Sequence, residues 1–164
     1  MSKAVITATL SKSFVNLSPN YKNAAEATAK YLGRDWLRNQ MRRLVSYVQE
    51  EAPKRTGEFA KSHNFKTFER GNEFIGKIYA AQPLAGWIVS GTGLYGPHKT
   101  PIVPVKAKAL RFVIGSRVIF AKSVRGMKSN KYDGRAYRRW QPGIRADLKD
   151  IGQKFTREFT ARAK

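Results

Sequence analysis

Few side chains in this chain can do acid–base or nucleophilic work. His63 and His98 are the only histidines and there is no cysteine, which excludes disulfides, thiol nucleophiles and cysteine-based zinc sites. Neither histidine has a carboxylate or serine paired with it in the sequence, and both read as surface residues rather than catalysts. A metal-dependent nuclease needs clustered carboxylates. The sequence offers only Glu50-Glu51, at a helix end, and Asp147 with Asp150, three positions apart on one helix face. Arg145, Lys149 and Lys154 lie beside those aspartates and read as ion-pair partners. Gly91-Thr92-Gly93 looks superficially like a phosphate loop. It lacks the Lys-Ser/Thr and the following helix of a P-loop, so it reads as a turn. No metal, no cofactor and no enzyme activity are expected.

The chemistry the sequence does offer is charge. Against 11 Asp plus Glu stand 32 Lys plus Arg, a formal net charge of +21. A domain so charged repels itself, and its natural partner is a polyanion: nucleic acid first, then an acidic protein surface, then anionic lipid. No apolar run approaches the ~20 residues that span a bilayer, and Met1 to Leu10 lacks the apolar segment of a secretory signal. Residues 1–98 carry 14 cations and 7 acids, a net +7, whereas residues 99–164 carry 18 and 4, a net +14. The densest stretch gives the candidate contacts Lys122, Arg125, Lys128, Lys131, Arg135, Arg138 and Arg139. Tyr132, Tyr137 and Trp140 are interleaved with them, as in single-strand binders that stack bases. The spacing matches no nucleic-acid module, so sequence-independent contact with duplex phosphates is the economical reading. The stretch is expected to be a loop that orders against its partner.

Those residues need a scaffold, and hydropathy supplies one. Val5 to Leu10 reads as a short edge strand and Ser11 to Pro19 as an arm. From about Lys22 the pattern is helical, with Leu37, Met41, Leu44, Val45 and Val48 forming one stripe and Arg34, Arg38, Arg42 and Arg43 off it. Ala52-Pro53 stops this helix. Two strands follow, about Ser62 to Glu69 and Glu73 to Ala80, joined by Arg70-Gly71-Asn72. A segment rich in glycine and proline, Gln82 to Pro104, reads as a loop that leaves Trp87, Leu94 and Tyr95 poorly suited to burial. A second hairpin pairs Arg111 to Ile114 with Arg117 to Phe120 across Gly115-Ser116, which suits a type II′ turn. Gln141-Pro142-Gly143 is expected to open a last helix, with the stripe Ile144, Leu148, Ile151, Phe155 and Phe159. The fold class is α+β: a long N-terminal helix and a C-terminal helix packed on an antiparallel sheet built from hairpins. Residues 1–20 form an arm or edge strand and 21–164 a single domain.

Three segments, in this order, resemble the head–tail joining (tail-completion) family of tailed DNA phages. Glu51-Ala52-Pro53-Lys54-Arg55-Thr56-Gly57 through Ser62 is similar to the family's alanine-proline, threonine-glycine, serine elbow before its first strand. Tyr79-Ala80, followed by Trp87 to Gly96 with Ser90-Gly91-Thr92, resembles its tyrosine-alanine strand end and glycine-threonine turn. Pro101 to Phe112 resembles its proline- and lysine-rich approach to a strand, and Gln141-Pro142-Gly143 its short proline motif. The family's acid before Gly-Thr is Ser90 here, and its leucine after Thr-Gly is Phe59. Pro53, Thr56, Gly57, Gly91 and Thr92 carry the motif turns; Thr56 can close a turn through its hydroxyl and Gly57 can take a positive φ.

The resemblance implies a structural virion protein: a homo-oligomeric ring of about six copies at the phage neck, joining head to tail while DNA passes through. Its implied partners are itself, a portal-side connector, a tail terminator or tail-tube protein and, without sequence preference, the genome; no membrane is implied. Its place is the virion neck, and the host cytoplasm during assembly. The competing expectation is a basic nucleic-acid-binding protein or toxin-like ribonuclease using His63 and an arginine.

Overall fold

The computed structural model describes residues 5–9, 19–71 and 73–162. Of the arm expected from Ser11 to Pro19, Pro19 instead opens the first helix; residues 11–18, and Asn72 of the first hairpin loop, lie outside the described residues. In order come β1 (Val5–Thr9), α1 (Pro19–Glu51), α2 (Glu58–Lys61), β2 (His63–Arg70), β3 (Glu73–Ala80), α3 (Ala85–Ser90), a 3-10 turn at Gly93–Tyr95, β4 (Leu110–Ile114), β5 (Arg117–Ala121) and α4 (Tyr132–Arg162). The fold is α+β, with two long helices and antiparallel sheets. Where the sequence suggests one domain over 21–164, the chain forms two compact units: Lys3–Ala81 with Asp133–Lys164, here the frame, and Gln82–Tyr132, here the insert.

The frame is organised by α1. Leu37, Met41, Leu44, Val45 and Val48 are all buried, as their spacing requires, and Ala25, Thr28 and Ala29 continue the stripe upstream. The helix ends at Ala52, whose amide closes on the Val48 carbonyl before Pro53. Beside it lies a three-stranded sheet in the order β1-β3-β2. β1 is an edge strand, as the sequence suggested, pairing Val5 with Lys77 through Thr9 with Glu73. β2 and β3 pair from His63 with Ala80 to Arg70 with Glu73. Phe74, Gly76 and Ile78 alternate along the buried face of β3. A Cβ on Gly76 would lie 2.8 Å from Met41 Cγ, so the bare backbone there admits the buried methionine. The opposite face is open, and Lys66 and Lys77 each stand 5.4 Å from an aromatic centre, over Tyr79 and Phe68 respectively.

The closing helix begins nine residues before Gln141-Pro142-Gly143, at Tyr132, and runs through Pro142. Tyr132, Ala136 and Trp140 are buried at helical spacing, and this first stretch is what the sequence reading missed. Proline opens helices more often than it interrupts them, because it forfeits one hydrogen bond. Pro142 and Arg138, whose carbonyl loses that bond, both lie on the exposed side of the helix. Beyond Pro142 the stripe is only partly covered: Ile144, Ile151, Phe155 and Phe159 are half-buried and Leu148 is exposed. A polar cluster ties α4 to α1. Trp140 Nε1 donates to Gln40 Oε1 at 3.1 Å, Gln40 Nε2 donates to Asp147 at 2.8 Å, and Arg43 pairs with the same carboxylate.

In the insert, the stretch read as a loop holds the short helix α3 and the 3-10 turn. The second hairpin forms in the expected register, Phe112 opposite Ile119 and Val113 opposite Val118. Gly115 has φ 61° while no non-glycine but Lys99 has a positive φ among the described residues, the pattern of a type II′ turn. No helix among the described residues is long and apolar enough to cross a membrane.

Candidate functional site

The insert's distinguishing feature is one-sided charge. From residue 74 to residue 132 the sequence contains no aspartate or glutamate. Within 82–132 it has nine cations: the expected Lys122, Arg125, Lys128 and Lys131, with Lys99, Lys106, Lys108, Arg111 and Arg117. All nine are exposed. No carboxylate within the insert neutralises them, so their charges add.

Four of these cations belong to the segment expected to be a loop awaiting a partner, yet the segment is already fixed. Thr92 donates its amide to the Met127 carbonyl and Leu94 donates to Arg125, at 2.9 and 2.8 Å. The Met127 amide returns a bond to Thr92 Oγ1 at 2.9 Å. Asn130 donates to the Ile88 carbonyl, and Ile102 and Val124 exchange a pair of bonds. Ser129 Oγ reaches the Val89 carbonyl at 2.6 Å. The backbone of 124–130 is thus laced to 88–94 and to 102. So close an approach needs bare backbone. A Cβ on Gly91 would lie 2.7 Å from the Tyr95 oxygen, and Gly126, at φ 88°, packs against Thr92. Gly91 and Thr92, singled out as a motif turn, are the anchor of this ledge. Arg125 and Lys128 project from it, with Lys128 Nζ 5.7 Å from the Tyr95 ring centre. An open depression of about 690 Å³ lies in the same unit, walled in part by Trp87, Thr92, His98, Ile102 and Val103. Trp87, Leu94 and Tyr95 are exposed, as expected for that segment.

The other expected contacts lie on α4 in the frame and have different surroundings. Arg135 Nε bonds Glu51 at 2.8 Å, and Arg139 bonds both Glu51 and Glu50 at 2.9 Å while standing 4.9 Å from the Tyr47 ring centre. These bonds, Arg135's first and then Arg139's, hold the Glu51 carboxyl below its ordinary pKa. Arg135 and Arg139 therefore join α4 to the end of α1, while Arg138, between them on that helix, is exposed. Tyr132 and Trp140 are core residues rather than stacking platforms, and of the three interleaved aromatics only Tyr137 is exposed.

His63 is buried, not at the surface. Its ring meets Phe59 edge-on at 4.9 Å and its Nδ1 lies 3.0 Å from the Ala60 carbonyl oxygen. The physical reason is its place at the start of β2, directly after α2. Pro53, Thr56 and Gly57 form the elbow between α1 and α2, where Gly57 has φ 79° and its carbonyl accepts from Lys61. The carboxylates weighed as metal ligands are engaged elsewhere: Glu50 and Glu51 with arginines, Asp147 with Arg43 and Gln40, and Asp150 with Lys154 at 2.9 Å. Among the described residues no three His, Asp or Glu gather as a metal site would require.

The reading along the chain centred the charge on Lys122 to Arg139. The signal that would have centred it on the insert is the absence of acids, which begins well upstream of Lys122 and ends at Asp133. Compared with known proteins, the chain matches no family model, no curated sequence and no solved structure.

Proposed function

We propose that this chain is a structural subunit of a tailed phage's neck, forming a ring that joins the head-side connector to the tail and through which DNA passes. The observation that carries the reading is the insert: nine exposed cations, no acid, and exposed aromatics on the same short unit. A surface of this composition is poorly served by bulk water alone and well served by a polyanionic or acidic neighbour. Of the turns on which the family resemblance rests, Gly57 accepts from the Lys61 amide and Thr92 is bonded to Met127 through both its amide and its hydroxyl. Both are features an assembly scaffold would retain.

Mass spectrometry and electron microscopy of purified virions test this. The chain should be found at the neck, in about six copies if the ring resembles the family's. A chain absent from virions and isolated only as a monomer with an enzyme activity would sink the reading. The acid-free insert also favours a second reading, a nucleic-acid-binding protein outside any virion. Its ribonuclease form would need His63 as acid or base, and that ring is buried against Phe59. Nuclease activity abolished by His63→Ala or His98→Ala would reverse the order of the two readings.

A further inference from the structure

We infer that the β4–β5 hairpin of the insert docks onto an acidic protein surface with an apolar centre, a neighbouring virion component rather than the DNA or another copy of this chain. The inference rests on the neck reading and names the partner of its insert.

The argument begins with the hairpin's two faces. Leu110, Phe112, Ile119 and Ala121 share one face and are half-buried. The other carries Arg111 opposite Phe120 and Val113 opposite Val118. On it Phe120 is 66% exposed, Val113 52% and Val118 47%, while Ile114 and its partner Arg117, at the turn, belong to the first face. Contiguous apolar surface of this kind on a strand pair marks an interaction site. Among the described residues no other strand pairs with either edge of this sheet, and such edges can accept a further strand.

Three occupants are possible in principle, and charge and chemistry separate them. Duplex DNA presents phosphates and sugars. It satisfies Arg111 but gives nothing for dehydrating Phe120, Val113 and Val118. A second copy presents a frame that holds all eleven acids of the chain but 23 cations as well. Five of those acids, Glu50, Glu51, Glu69, Asp147 and Asp150, are already in ion pairs. Seating the hairpin on a second copy's frame would set its cations against a net positive unit, whatever other faces close the ring. An acidic protein surface meets both halves of the pattern: its apolar centre covers the valines and Phe120, and its carboxylates meet Arg111 and the flanking Lys106, Lys108 and Lys122. Interfaces are built this way, with an apolar core and a charged rim.

Zero-length carbodiimide coupling on purified virions reads the partner directly, because it joins a lysine amine only to a carboxylate in contact with it. Lys106, Lys108 or Lys122 should be found joined to an aspartate or glutamate of a different virion protein. Val113→Ser with Phe120→Ser should reduce that product by about tenfold or more. Both side chains are mostly exposed, so the circular dichroism spectrum of the variant should match the parent. Coupling only to other copies of this chain, no coupling from these lysines at all, or an undiminished product from the variant overturns the inference. Absence of the chain from virions is a separate result, and it defeats the neck reading itself.

Discussion

Gln40 is the least expected residue in the frame's interior and gives the sharpest stability test. It is a buried amide that joins two helices a hundred residues apart in sequence, accepting from Trp140 and donating to Asp147. Gln40→Leu keeps most of the volume and removes both bonds. The indole N–H of Trp140, which is buried, then has no acceptor at that position, at about 1–3 kcal/mol for an unsatisfied buried donor. Asp147 keeps Arg43, so the second loss is nearer the usual net value for one bond, about 1 kcal/mol. The expected cost is therefore about 2–4 kcal/mol. With urea m-values of about 1–3 kcal/mol per molar for small domains, the unfolding midpoint should fall by about 1–2 M. Far-ultraviolet circular dichroism is the suitable probe, since α1 and α4 supply most of the helix. A cycle with Trp140→Phe isolates the donor, because in that background the leucine strands no N–H; coupling of about 1 kcal/mol or more is expected between contacting residues. A Gln40→Leu variant within about 0.5 kcal/mol of the parent, or an additive cycle, would refute the claim that this amide fastens α4 to α1.

Gly76→Ala should destabilise by about 1–3 kcal/mol through overpacking against buried Met41, and Met41→Ala in the same protein should recover part of that loss in urea titrations. Acid should weaken the frame in a defined window. Glu51, bonded by Arg135 and Arg139, and Glu69, bonded by Arg34, have folded pKa values below the unfolded value of 4.5. Their stabilisation is therefore present above that pH and lost as pH falls through the depressed folded values. Glu51→Gln and Glu69→Gln should flatten the decline of the melting midpoint below pH 4.5, and an unchanged slope would count against the pairs.

Periodicity made much of this fold readable. The α1 stripe is buried at every position it named, and both hairpins keep the register that Gly71 and Gly115-Ser116 allow, because turn chemistry and alternation are local properties. What escaped was set by distant contacts. The first turns of α4 look like a basic loop until Glu50 and Glu51 are seen to take up Arg135 and Arg139. Pro142 looks like a start signal because nothing local shows that the helix already runs through it from Tyr132. Trp140 looks like a stacking aromatic because its partner Gln40 lies on another helix. His63 looks exposed because neither α2 nor the ring of Phe59 above it is announced by a strong local pattern. The lacing of 124–130 to 88–94 could not be read either, since glycine and threonine signal turns without saying which backbone they admit.

These misses change where the charge can act. Arg135 and Arg139 are neutralised within the frame and lose much of their reach toward an outside anion. The insert gains what they lose: its cations have no acid within 82–132 to oppose them. Lys128 and Arg125 stand on a backbone fixed by bonds to Thr92 and Leu94, so the backbone ordering that a disordered loop would pay on binding is already complete. A prearranged cationic surface loses less entropy on docking than one that folds on contact, and it fixes the geometry in which a partner's carboxylates must sit. That is a property suited to a joint between two protein rings, where position must be reproducible, more than to a sleeve that slides past DNA.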